Sequence, residues 1–138
     1  MEQIIGFIAA NPLLVLVFVF FLLGLILTES RKGGQSLSPL QATQMVNAEN
    51  ALLLDIRKKD EFKSGHVAGS MNIEYASLTN KLSELEKHKD KPIIVVCKTG
   101  TTAGSAGALL RKAGFTKVNK LGGGIFEWQA QKLPLVKK

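Results

Sequence analysis

One cysteine, Cys97, and two histidines, His66 and His88, are the only soft metal ligands in this 138-residue chain. Set far apart in sequence, they form no metal-ligand spacing, and no metal site is expected. A lone cysteine also rules out an intrachain disulfide and suits a reducing compartment. Aromatics make up only 7 % of the residues and no nucleic-acid motif occurs. The net charge of +7 comes from scattered lysines, so no nucleic-acid partner is expected; it fits a solvated surface beside anionic lipid. There is no internal repeat. The longest absence is of charge itself, since no residue from Ile4 to Leu27 carries any.

At about 1.5 Å per residue that apolar run is long enough for a hydrocarbon core of about 30 Å, and it predicts a transmembrane helix over residues 4–28. A cleaved signal peptide is the competing reading. Met1-Glu2-Gln3 has no basic residue, however, and no small-x-small site follows the run. Asn11-Pro12 reads as a kink or a late start near the outer interface. The run ends in Thr28-Glu29-Ser30-Arg31-Lys32, and basic residues just after a span mark the cytoplasmic side. The expectation is a single-pass protein of the cell membrane with its N-terminus outside and its C-terminal domain in the cytoplasm. Lipid is then the partner of residues 4–28, and the span offers a face to a membrane-protein partner. Residues 29–36, with Gly33 and Gly34, read as a flexible linker. Residues 37–138 are of ordinary size for one domain.

Within that domain Ser38-Pro39-Leu40-Gln41 has the form of a capping box with proline at the first helical position, opening a helix that ends near Asn47. Residues 51–55 form a short apolar strand ended by Asp55. A short helix around Phe62 and a brief strand at residues 71–73 follow. Leu78, Leu82 and Leu85 make the apolar stripe of the next helix. Ile93-Ile94-Val95-Val96 reads as a buried central strand. Ala103-Gly104-Ser105-Ala106-Gly107-Ala108 begins a helix able to approach its neighbours closely. A strand at residues 118–121 and a last short helix, whose Phe126 and Trp128 seal the core, complete the chain. This alternation predicts an α/β domain with a central parallel sheet and helices on both faces.

The chemistry converges on Cys97, which stands between the carboxyl end of the central strand and the N-terminus of the small-residue helix. Open α/β sheets bind ligands there, and the unpaired N–H groups of a helix start favour a thiolate or another anion. Lys98 adds positive charge. Gly100 permits a positive φ, which lets successive N–H groups of the loop Lys98-Thr99-Gly100-Thr101-Thr102-Ala103 point inward as a nest. An inert core thiol is the alternative reading, and the tight, threonine-rich turn after Cys97 argues against it.

With these motifs the soluble part resembles a rhodanese-type sulfurtransferase domain. The opening signature is carried by Asp55-Ile56-Arg57, Glu61-Phe62, Gly65-His66-Val67-Ala68-Gly69-Ser70 and Asn72-Ile73. The closing one is carried by Leu121-Gly122-Gly123, Trp128 and Leu133-Pro134, and Cys97 falls where the family's catalytic cysteine falls. The resemblance implies a cysteine persulfide, loaded from a sulfur donor such as thiosulfate or another persulfide and discharged to a thiol acceptor. The backbone of Lys98, Thr99, Gly100, Thr101, Thr102 and Ala103 would bind the transferred sulfur, with Asp55 and Arg57 in support and neither metal nor organic cofactor required. It assigns His66 to structure. Many active members carry arginine where this chain has Thr102, so weaker use of thiosulfate is expected, with Lys98 as a point-charge substitute. Glu74, at a position that is often proline, is expected to affect only local backbone. Related phosphatases need a longer loop with an arginine, and the nearest one downstream is Arg111. A non-catalytic interaction module tethered beside membrane proteins is the alternative function, and thiol-based redox sensing a third.

Overall fold

The computed structural model describes residues 1–137, for residues 29–32 the backbone alone. The chain forms two compact units, Met1–Arg31 and Lys32–Lys138.

The first unit contains α1 (Glu2–Ala10), followed by α2 (Pro12–Lys32). Proline has no N–H to continue a helix and disfavours helical geometry in the residue before it. Asn11 accordingly leaves the helical region, with φ −131° and ψ 59°, and its N–H and Nδ2 both donate to the Phe7 carbonyl at 3.1 Å. The continuous helix expected over residues 4–28 is therefore replaced by two. Among the described residues no single helix is long and apolar enough to cross a membrane; Glu2–Ala10 and Pro12–Thr28 reach that length only together, as a pair bent by 96°. The large apolar side chains of both helices are exposed except that of Val15, which is half-buried. The basic pair Arg31-Lys32, on which the expected orientation rests, lies outside the described side chains.

The second unit is a five-stranded, wholly parallel sheet in the order β1-β5-β4-β2-β3. The strands are β1 (Gln35–Leu37), β2 (Leu52–Asp55), β3 (Met71–Asn72), β4 (Ile93–Val96) and β5 (Val118–Leu121). Around them run α3 (Pro39–Glu49), α4 (Lys59–Ser64), α5 (Thr101–Lys112) and α6 (Gly124–Ala130). The Ser38 capping box is fully made: Ser38 Oγ accepts from Gln41 N–H at 3.2 Å, and Ser38 N–H donates to Gln41 Oε1 at 2.9 Å.

Every residue of β4 is buried, because side chains of a central parallel strand alternate between two covered faces. Ile93 and Val95 pack with Leu54, Ala103, Ala106 and Leu110 on one face, and Cys97 continues that face. Ile94 and Val96 pack with Leu53, Ala42, Ile125 and Trp128 on the other.

Three expectations need correction. Gln35 and Ser36 belong to an edge strand rather than a linker, held by pairing with Asn119 and Lys120 of β5. The helix carrying Leu78, Leu82 and Leu85 is 3₁₀, running Tyr75–Ser77 and Thr79–His88, with Lys81 at φ −112° breaking its regularity. Leu78 and Leu85 are still fully buried. Phe126 is 69 % exposed, and Ile125 and Trp128 instead close the core from α6.

The close approach expected of the small-residue helix is made to Gly33, whose backbone lies against Gly104 and Gly107 of α5. A Cβ on Gly107 would run into the Gly33 carbonyl, whereas one on Gly104 would meet only Lys120 Nζ at 3.7 Å. Gly107→Ala is therefore expected to destabilise the domain by about 1–3 kcal/mol through overpacking. Gly104→Ala is expected to be neutral or to gain up to about 1 kcal/mol in helix propensity. Urea unfolding of the full chain in detergent micelles checks both.

Candidate active site

Cys97 stands one residue past the carboxyl end of β4 and is 4 % exposed. Gly100 N–H donates to Cys97 Sγ at 2.9 Å. Gly100 is the N-cap of α5 at φ 94°, ψ −12°, a left-handed conformation that glycine adopts without strain. No side chain caps this helix, so the N–H groups of its first turn are left to the loop and to whatever binds there. Thr99 Oγ1 and Thr101 Oγ1 lie 3.3 Å apart. Lys98, Thr99, Thr101 and Thr102 are exposed, Gly100 is half-buried and Ala103 is buried.

The loop is held from behind by α6. Ile125 N–H donates to the Cys97 carbonyl at 2.9 Å and Phe126 N–H to the Lys98 carbonyl at 3.0 Å. In a planar trans peptide the C=O and the following N–H point opposite ways. These two bonds therefore turn the Lys98 and Thr99 N–H groups away from α6. Gly123 and Gly124 both have positive φ, and a Cβ on Gly124 would collide with the Cys97 carbonyl. Gly124, directly after the glycines of the closing signature, thus makes room for this contact. Sequence reasoning noted the glycine run without its target, which comes from 24 positions or more earlier in the chain.

Asp55 and Arg57 form the second support. Asp55 ends β2 opposite Val96, and the next residue, Ile56, donates its N–H to the Val96 carbonyl at 2.9 Å. Asp55 is 1 % exposed and the Arg57 side chain 8 %. Arg57 Nε donates to Asp55 Oδ1 at 3.1 Å and Nη2 to Oδ2 at 2.8 Å, with Nη2 also reaching the Gly65 carbonyl at 2.7 Å. Such a fork satisfies a buried carboxylate. Asn72 Nδ2 donates to the carbonyls of both Asp55 and Arg57 at 3.0 Å, binding the same turn. Glu74 does more than shape local backbone: its carboxylate accepts from Lys59 N–H at 3.3 Å at the start of α4.

His66 is buried, stacked on Phe62 at 3.8 Å between ring centroids, and its Nδ1 donates to the Phe62 carbonyl at 2.8 Å. Its backbone pairs with Val136. These contacts bind the opening signature to the tail. Trp128 Nε1 donates to the Pro134 carbonyl at 3.0 Å and fixes that tail from the other side. His88, expected on a solvated helix end, has a buried Nδ1 without a hydrogen-bond partner among the described groups. Burial first, then the charges of Lys87 and Lys91, lower its pKa from 6.5 and keep it neutral at pH 7. No group of three or more His, Cys, Asp or Glu able to hold a metal occurs among the described residues.

Beside the loop opens a cleft of about 240 Å³ whose walls include Arg57, Glu61, Lys98, Phe126, Gln129 and Leu135. The exposed face of Phe126 belongs to this wall.

Residues 38–131 match the Rhodanese-like domain, over more than half of the chain. The chain belongs to the rhodanese-like family. It is 35 % identical over 141 residues to the uncharacterized protein YibN of Escherichia coli K12, spanning 99 % of both chains. It is 33 % identical to the thiosulfate sulfurtransferase GlpE of Shewanella oneidensis, over 67 % of this chain and 89 % of that one. A rhodanese-related protein of Thermoplasma volcanium has the same fold, with TM-score 0.69 and 28 % identity over 76 % of this chain and 100 % of its own.

Proposed function

We propose that this rhodanese-like protein is a membrane-anchored sulfurtransferase that carries sulfane sulfur on Cys97. The observation that carries the reading is the 2.9 Å hydrogen bond from Gly100 N–H to Cys97 Sγ. It sits at the mouth of an uncapped helix, whose free N–H groups can face a bound anion. The Cys97 thiolate attacks the outer sulfur of thiosulfate; the donor's S–S bond breaks, sulfite leaves with its electron pair, and Cys97 holds a persulfide anion. An acceptor thiolate then attacks the terminal sulfur and expels the Cys97 thiolate, so the cycle has no net oxidation. Lys98, Thr99, Gly100, Thr101, Thr102 and Ala103 supply the N–H groups around the transferred sulfur, as an oxyanion hole does in acyl transfer. Asp55 and Arg57 act through the backbone, holding the turn after β2 against the end of β4.

The Thr102 side chain brings no charge to an anionic donor. Cys97→Ser is expected to abolish sulfite release from thiosulfate. Thr102→Arg is expected to raise kcat/KM for thiosulfate by about tenfold, the worth of one charge-assisted hydrogen bond. A wild-type enzyme that releases no sulfite and gains none from the arginine would count against thiosulfate as donor.

The exposed apolar surfaces of α1 and α2 support lipid contact through residues 4–28, and Arg31-Lys32 after the charge-free run supports an N-terminus outside with the catalytic domain in the cytoplasm. In intact spheroplasts the domain is then protected from added protease and becomes digestible only after lysis. Digestion before lysis would reverse the orientation.

A further inference from the structure

A second cleft opens at the other end of the sheet, where β5 and β4 begin. Its volume is about 250 Å³, and Gln35, Glu49, Arg111, Lys117 and Asn119 line it. The chain enters the domain at this same place. Gln35 stands three residues after Lys32, the last residue of α2, so at most about 11 Å of chain separates them. That stretch has no slack, because Gly33 and Gly34 are both buried, the first against Gly104 and Gly107 of α5 and the second against the Val118 carbonyl. Arg111 follows Gly107 by four residues and so stands one turn further along the same face of α5. Among the described residues no hydrogen bond or ion pair engages the Lys117 ammonium, the Glu49 carboxylate or the Gln35 side-chain amide. Asn119 Nδ2 donates to Met45 Sδ at 3.6 Å, which leaves its Oδ1 as an acceptor. Arg111 has a contact of its own, and its guanidinium carries N–H donors enough for a further acceptor.

We propose that this cleft receives the phosphoethanolamine headgroup of a membrane phospholipid, its phosphate on Lys117 and Arg111 and its ammonium on Glu49 and Asn119 Oδ1. The inference rests on the reading of residues 4–28 as a lipid anchor and gives the folded domain a lipid site of its own. Charge decides the class of headgroup. Lysines scattered over a surface favour any anionic lipid, whereas a carboxylate beside two cations disfavours a purely anionic head and favours one that brings its own ammonium. Both ends are then held by charge-assisted contacts. Chain length decides the source. An anchored chain that enters the domain beside the cleft meets headgroups at high effective concentration, which a soluble phosphate ester does not match. Cys97, past the carboxyl end of β4, is left at the opposite end of the sheet from the bound head.

The test uses the isotope-labelled full chain in non-ionic detergent micelles, followed by amide NMR. Dihexanoyl phosphatidylethanolamine is expected to shift the side-chain amide signals of Gln35 and Asn119 saturably. It should do so at about one-tenth the mole fraction needed for dihexanoyl phosphatidylglycerol, which lacks the ammonium. Glu49→Gln is expected to remove that preference. Lys117→Gln is expected to weaken both lipids by about tenfold, and Lys117→Arg to restore most of the loss. A dispersed backbone spectrum shows that each variant is folded. Free phosphoethanolamine at the same total concentration is expected to leave both signals in place, and equal shifts with it would overturn a lipid as the source. Lipid-induced shifts confined to α1 and α2, or a wild-type cleft indifferent to the two headgroups, overturn the headgroup assignment alone. A wild-type chain that fails to float with vesicles containing phosphatidylethanolamine overturns the lipid anchor and this assignment with it.

Discussion

The hydrogen bonds from Ile125 and Phe126 to the carbonyls of Cys97 and Lys98 are the constraint on which the site depends. A loop that must present N–H groups to a sulfur needs its carbonyls satisfied on the other side, because an unpaired buried carbonyl is costly. The start of α6 meets that need, with Gly123 and Gly124 in left-handed conformations, and it does so only because Gly124 leaves no Cβ against the Cys97 carbonyl. Gly124, beside the closing signature, and Cys97, one residue past the central strand, are thus two halves of one device.

That device is anchored to a rigid platform. Four consecutive buried aliphatics in β4, each contributing about 1.5–3 kcal/mol on burial, fix the point from which the loop departs. The Asp55–Arg57 fork and the two bonds from Asn72 fix the neighbouring turn. Breaking such a buried pair on one side leaves an uncompensated charge, so neither the acid nor the base can be lost singly without cost to this turn. The tail closes the frame through Trp128 with Pro134 and His66 with Val136.

Much of this was legible in the residues alone. Strand and helix alternation gave the parallel α/β sheet, and the Ser38 capping box and the small face of α5 act as their patterns suggest. Other features were hidden for physical reasons. Gln35-Ser36-Leu37 has too polar and short a pattern to look like a strand, since an edge strand buries little and is defined by its partner. Leu78, Leu82 and Leu85 are spaced by four and three, which suits an α-helix as well as the 3₁₀ form observed. Whether Phe126 faces core or cleft depends on how α6 rotates to reach the sulfur loop, a tertiary matter. The break at Asn11 was visible as a proline, yet its 96° size was not. The charge arrangement of the cleft joins residues from three separate segments, and no local pattern reveals it.

The central claim is that Cys97 carries sulfur covalently. Intact-mass measurement of the full chain after exposure to a thiol persulfide, with Cys97→Ser alongside, tests it most directly. The account predicts a gain of one sulfur atom, located on Cys97, removed by a reducing thiol and absent from the variant. A folded protein whose free Cys97 gains no sulfur under these conditions would contradict it.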